Sequence, residues 1–85
     1  MTTLKDIKNR YIDKPVEQVG SKQLFKVFIG NNLIIYLSYN TEIAYYYIRD
    51  NCLQINPTIF SRTTQKHKGI IKRLHPTAII KEMPL

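Results

Sequence analysis

Phe60-Ser61-Arg62-Thr63-Thr64-Gln65-Lys66-His67-Lys68-Gly69-Ile70-Ile71-Lys72-Arg73-Leu74 is the stretch on which the reading of this chain turns. Hydroxyls crowd its start, as they do at helix caps, and apolar residues then recur at helical spacing. At 100° per residue, Thr63, His67, Ile70, Ile71 and Leu74 share an arc of roughly 100°, the width of a core-facing stripe. Gln65, Lys68, Gly69 and Lys72 fall opposite, with Lys66 and Arg73 along one border. The spacing predicts an amphipathic helix with a basic outer face, stopped by His75-Pro76.

Upstream of Asn56-Pro57-Thr58 the pattern is that of strands. Leu24 to Ile29, Leu33 to Tyr39, Ile43 to Arg49 and Cys52 to Ile55 are rich in β-branched and aromatic residues. Gly30-Asn31-Asn32, Asn40-Thr41 and Asp50-Asn51 separate them with turn chemistry, and links this short join only antiparallel neighbours. Further upstream, Thr3-Leu4-Lys5-Asp6 has the form of a capping box, followed by an apolar stripe of Leu4, Ile7 and Tyr11. That predicts a first helix over about 3–13, ended by Pro15. Val16 to Lys22 reads as a short strand or a turn at Gly20-Ser21, and Thr77 to Lys81 as a short edge strand. The fold class is therefore α+β. It comprises an N-terminal helix, a three- or four-stranded antiparallel meander, a basic C-terminal helix and a short final edge strand. Residues 1–85 make one small domain with a frayed tail at about 82–85.

The second and third strands are apolar on both faces, with Leu33, Ile35, Leu37 and Tyr39 opposite Ile34, Tyr36 and Ser38. Ile43, Tyr45 and Tyr47 likewise oppose Ala44, Tyr46 and Ile48. Such strands are normally covered on both sides. Either one helix lies on each face, or both helices share one face and leave a tyrosine-rich surface. In the second arrangement Tyr36, Tyr45, Tyr46 and Tyr47 would serve a host protein or a homodimer, or, through Tyr45 or Tyr47, stacked bases.

Charge is unevenly placed. The chain carries 13 Lys and Arg against 6 Asp and Glu, a formal net charge of +7. Residues 51–81 hold six bases and no acid, so the excess belongs to the segment of the basic helix. Concentrated positive charge points to a polyanion, usually nucleic acid. Arg62, Lys66, Lys68, Lys72 and Arg73 are the candidate phosphate-contacting residues. The alternative is a solvated basic face that aids solubility. Surplus hydroxyls at Ser61, Thr63 and Thr64 could hold a phosphate at the helix start, or simply cap it.

No catalytic residues are assigned, because the acids are scattered and neither a phosphate-cradling glycine loop nor a nucleophile motif is present. His67 falls in the apolar arc and reads as a core histidine with one hydrogen bond, and His75 as an exposed residue near the helix end. One cysteine and two histidines are too few for a typical zinc site, so no metal and no cofactor is expected. The single cysteine also fits a reducing cytosol, and no apolar run approaches the ~20 residues needed to cross a bilayer. The chain reads as a soluble cytoplasmic protein with no membrane partner.

Leu37-Ser38-Tyr39-Asn40-Thr41-Glu42-Ile43-Ala44, Leu53-Gln54-Ile55 and Phe60-Ser61-Arg62-Thr63-Thr64-Gln65-Lys66-His67 together resemble a group of small proteins of bacteriophages, archaeal viruses and mobile elements. The shared pattern is Ser-Tyr-x-Thr-x-Ile-Ala, a hairpin, then aromatic-Ser-x-Thr-Thr-x-Lys-His and a helix. The resemblance covers residues 37–74, with Phe60 where tyrosine is usual and Glu42 where proline is frequent. It implies a viral origin and a shared fold, and carries across no activity. In outline the order of elements is also similar to double-stranded-RNA-binding domains, an analogy that fixes no function. These readings give two functional expectations. The first is a non-catalytic viral accessory protein that binds nucleic acid through the basic helix. The second is an effector that binds and inhibits a host protein or defence complex, as a dimer.

Overall fold

Thr3 begins the chain's first regular element. Its hydroxyl accepts from the Asp6 amide at 3.1 Å, and the Asp6 carboxylate accepts from the Thr3 amide at 2.8 Å. This reciprocal cap starts α1 (Leu4–Arg10) and holds the Asp6 carboxyl below its usual range, mainly through the backbone bond to Thr3. The helix stops short of the expected residue 13. Asp13 takes a left-handed backbone with φ of 64°, and the Lys14 amide folds back on the Tyr11 carbonyl at 3.2 Å. The computed structural model describes residues 1–20, 23–58 and 60–84. Part of the anticipated turn at Gly20-Ser21 and the last residue of the anticipated tail lie outside them.

The described residues form a sheet of six strands in the order of the chain: β1 (Val16–Gln18), β2 (Leu24–Ile29), β3 (Leu33–Ser38), β4 (Thr41–Tyr47), β5 (Cys52–Ile55) and β6 (Ile79–Glu82). All neighbours are antiparallel except β5 and β6, which run parallel because α2 (Arg62–Leu74) carries the chain back between them. The meander read from the sequence is thus extended by β1 at one edge, while β6 at the other is the short final edge strand that was expected. Short edge strands are weak in any periodicity count, since few side chains define their faces. Glu82 lies within β6, and the Met83 amide donates to the Ile55 carbonyl at 2.8 Å, so the sheet reaches into the segment expected to fray.

One helix covers each face, which settles the layer arrangement. On one side Ile7 of α1 packs against Phe25, Val27, Ile35 and Leu37, all of them buried. On the other, Ile71 of α2 packs on Leu24, Ile34, Tyr36, Ile43, Ala44, Leu53 and Ile55. Burying a side chain such as Ile71 contributes about 2 kcal/mol. The expected sharing of one face by Ile43, Tyr45 and Tyr47 is overturned by a bulge. Tyr36 pairs with Ala44 and Leu37 with Glu42, which leaves Ile43 as the extra residue. Ile43 therefore joins Ala44 beneath α2, and Glu42 comes to the side of Tyr45.

Tyr36 and Tyr46 do not form an open surface. Tyr36 is 1% exposed, and both rings pack in the α2-side core, away from Tyr45 on the α1 side. A partner surface built from Tyr36, Tyr45, Tyr46 and Tyr47 together is excluded, because the strand alternation sends them to opposite faces and α2 covers one of these.

Candidate nucleic-acid interface

Ser61 is the residue that caps α2, its hydroxyl accepting from the Thr64 amide at 3.3 Å. Which side of α2 faces the sheet is decided by polar anchors at its two ends. Near the start, Ser38 Oγ of β3 lies 2.9 Å from Thr64 Oγ1 and 2.7 Å from His67 Nδ1. Ser38, Thr64 and His67 are all buried, so each hydrogen bond replaces lost water. At the far end His75 closes the helix. Its ring stacks on Tyr46 with centroids 3.7 Å apart, and its Nε2 lies 2.7 Å from the Tyr36 hydroxyl. Burial pulls the His75 pKa below its ordinary value, and the Lys26 ammonium adds to the shift.

These anchors turn the helix by about 60° from the position that apolar residues alone predict. Thr64, His67, Lys68 and Ile71 are buried, whereas Thr63 is exposed and Leu74 is 48% exposed. His75, expected in solvent, is half-buried for the same reason. His67 lies in the core as the spacing predicts, whereas Thr64 and Lys68, which the spacing leaves outside the stripe, are taken inward by hydrogen bonds.

The rotation redistributes the cations. Lys68, expected on the outer face, is 7% exposed. Its ammonium donates to the Thr58 carbonyl at 2.7 Å and lies 5.2 Å from the centre of the Phe60 ring. Arg62, Lys66, Lys72 and Arg73 remain exposed. On the helical wheel Arg62, Lys66, Gly69 and Arg73 fall within about 60° of one another, directly opposite the buried face. They form one row roughly 16 Å long. A Cβ built on Gly69 would meet only Arg73 Nη1, at 3.7 Å, so the middle of the row is low and open. No acid occurs anywhere in α2. Among the described residues the ion pairs are Arg10 with Glu42 and Lys26 with Glu17, neither of which involves this row.

Glu42 is the centre of a second polar cluster, which nothing in the local sequence announces. It accepts hydrogen bonds from the Tyr11 hydroxyl and, at 2.5 Å, from the Tyr45 hydroxyl, and the Arg10 guanidinium stands 3.6 Å away. Arg10 also donates to the Asn40 side chain at 2.9 Å. The cluster fastens α1 to the β3–β4 hairpin. The hydrogen bond to Glu42 raises the Tyr45 pKa to about 12, and burial raises that of Tyr36 to about 12. Ser38 had a better signal, being the one polar side chain on the Ile34–Tyr36 face of its strand. Ser38 and His67 are 1% and 3% exposed, which makes their hydrogen bond an attachment of α2 to the sheet. No group of three or more His, Cys, Asp or Glu that could hold a metal ion occurs among the described residues. No helix among them is long and apolar enough to cross a membrane.

The profile of a family of unknown function, DUF8033, matches residues 2–80. The chain belongs to this family. The match takes in both helices and the sheet as far as Ile80. No curated protein and no solved structure shows significant similarity to the chain.

Proposed function

We propose that this member of DUF8033 is a non-catalytic accessory protein of viral type, acting in the cytoplasm of a host cell, that binds nucleic acid through the outward row of α2. The observation that carries this reading is the placing of Arg62, Lys66 and Arg73 in one file opposite the buried face, without an ion-pair partner among the described residues. Side chains in such a file contact phosphates and release condensed counterions, and they do so without reading sequence. Gly69 lets a sugar–phosphate backbone approach the helix between Lys66 and Arg73. Lys72 flanks the row and extends it toward β6.

Fluorescence anisotropy with labelled duplex and single-stranded oligonucleotides tests the reading. The logarithm of the binding constant should fall with log salt by about 0.9 for each neutralised phosphate on duplex DNA, hence roughly 2.7 for three contacts. Binding that ignores salt, or none at about 50 mM salt, sinks the proposal.

A second reading is favoured by one feature of the opposite face. Tyr47, Asp50, Cys52, Gln54, Ile79 and Lys81 line an open depression of about 330 Å³. Ile79 is 59% exposed there, as suits a protein partner. A host protein or a second copy seated on this face would make the chain an effector. A stoichiometric protein partner that survives nuclease treatment of a pull-down would support it, whereas loss of all partners on treatment returns the weight to nucleic acid.

A further inference from the structure

Lys68 is a buried cation without a countercharge among the described residues. An ammonium has three N–H donors, and in Lys68 one of them is taken by the Thr58 carbonyl. The Phe60 ring offers a second favourable contact. Among the described residues no carboxylate comes within ion-pair distance, since their ion pairs lie elsewhere. Holding a charge out of water in this way is costly unless an anion meets it. Burial, and then the Lys72 charge, lower its pKa from the ordinary lysine value.

Lys68 also lines a groove of about 330 Å³ between α2 and the outer edge of β6. Lys72, one helical turn on, lines the same groove with Gln65 and Lys81 of β6. Among the described residues Glu82 is the only acid of the lining against three lysines, so the lining carries a formal net charge of +2. We propose that this groove binds a phosphate group, held by Lys68 from within and by Lys72, Lys81 and Gln65 from the rim. Lysine suits the task because it approaches a phosphate as a point charge with rotatable donors. The backbone turn at Asn56–Thr58, closed by the Thr58 amide on Asn56 Oδ1 at 3.0 Å, fixes the carbonyl that orients Lys68.

The phosphate has two sources of the same chemistry: the backbone of a nucleic acid or a free phosphorylated small molecule. Lys72 lies between the outward row of α2 and the groove. A strand laid along Arg62, Lys66 and Arg73 therefore reaches the groove with a neighbouring phosphate. The polymer source rests on the function proposed above; the free-ligand source does not.

Amide shifts of the full-length chain, recorded by nuclear magnetic resonance at constant ionic strength, decide the matter. Inorganic phosphate, pyrophosphate and a short duplex oligonucleotide are the three probes, with chloride as the reference anion. Saturable shifts at Gln65, Lys68, Lys72 and Lys81 with phosphate or pyrophosphate are expected for a free ligand. The same shifts with the oligonucleotide alone assign the site to a polymer. The Lys72→Ala/Lys81→Ala double variant, altered only at exposed positions, should weaken either response about tenfold while keeping its melting temperature. Lys68→Met should abolish the response, and if that variant unfolds, the double variant carries the test. Oligonucleotide shifts confined to Arg62, Lys66 and Arg73 would overturn the groove and leave the function of α2 standing. Groove shifts unchanged by the double variant would overturn it as well. Phosphate binding without any oligonucleotide binding would retain the groove and remove the nucleic-acid reading.

Discussion

His67 Nδ1 lies 2.7 Å from Ser38 Oγ across the seam between α2 and the middle of the sheet. Leaving a buried polar partner unpaired costs about 1–3 kcal/mol. Ser38→Ala and His67→Ala should each lower the urea midpoint by a corresponding amount. The double variant should lose less than the sum of the two, since the second change removes a bond already broken. Strictly additive losses in this cycle would show that the pair does not fasten the helix.

Gly69→Ala should stabilise the protein. Its Cβ would enter ordinary contact with Arg73 Nη1 at 3.7 Å, and alanine is favoured over glycine in a helix by about 1 kcal/mol. For a domain of this size that corresponds to a rise in melting temperature of roughly 4–8 °C. Oligonucleotide affinity should fall in the same variant if the backbone approaches α2 between Lys66 and Arg73. A lowered melting temperature would contradict the open surroundings of Gly69.

Acid should weaken the fold through His75. Its folded pKa is depressed, so the neutral ring is the native form and the unfolded chain takes up the proton first. The contribution is complete above the ordinary value of 6.5 and is lost as pH falls below it toward the folded value. Tyr36, Tyr46 and Lys26 surround the ring, and none of them offers a negative charge at neutral pH to hold the proton. Denaturation midpoints between pH 7.5 and 5 should therefore drop, and the part of the drop due to His75 should vanish in His75→Phe. An identical pH profile in the variant would refute the assignment.

Alkali should act through the tyrosines. Tyr36 and Tyr45 are raised from 10.0 to about 12, by burial and by the bond to Glu42 respectively. Raised acids stabilise the fold below the unfolded value, and the contribution disappears as pH climbs from 10 toward 12. Ultraviolet titration of the six tyrosines should show a late fraction that Tyr36→Phe and Tyr45→Phe each reduce. In Glu42→Gln the Tyr45 share should ionise earlier, since the charge that opposes its ionisation is gone.

The central sheet and both helices were legible because their patterns are long. β2, β3 and β4 each span at least six residues, and α2 spans thirteen. Thr3 and Asp6 declared the first cap by spacing alone. The final edge strand was legible as β6, whereas three-residue β1 is too short to be told from a turn. Ile43 defeats strict alternation because one extra residue between Glu42 and Ala44 moves it across the sheet. The candidate interface was legible as a helix and misplaced as a face. Arg62, Lys66 and Arg73 emerge on the outside as their charge suggests. Lys68 has the same charge and turns inward, where Thr58 and Phe60 receive it. Those two partners stand ten and eight residues before it, and no helical wheel includes them.

The parallel pairing of β5 with β6 sets an order of assembly. Every strand up to Ile55 pairs with the one made just before it, so the meander can zip up as the chain leaves the ribosome. Pairings this close in sequence close quickly. β6 comes last, because all of α2 lies between Ile55 and Ile79 in the chain. The lysine groove is complete only with the last strand, whose Ile80, Lys81 and Glu82 line it. A chain cut before Ile79 would carry the row of Arg62, Lys66 and Arg73 without the β6 residues that line the groove beside Lys68. Completing the chain is what turns a charged helix into a cleft.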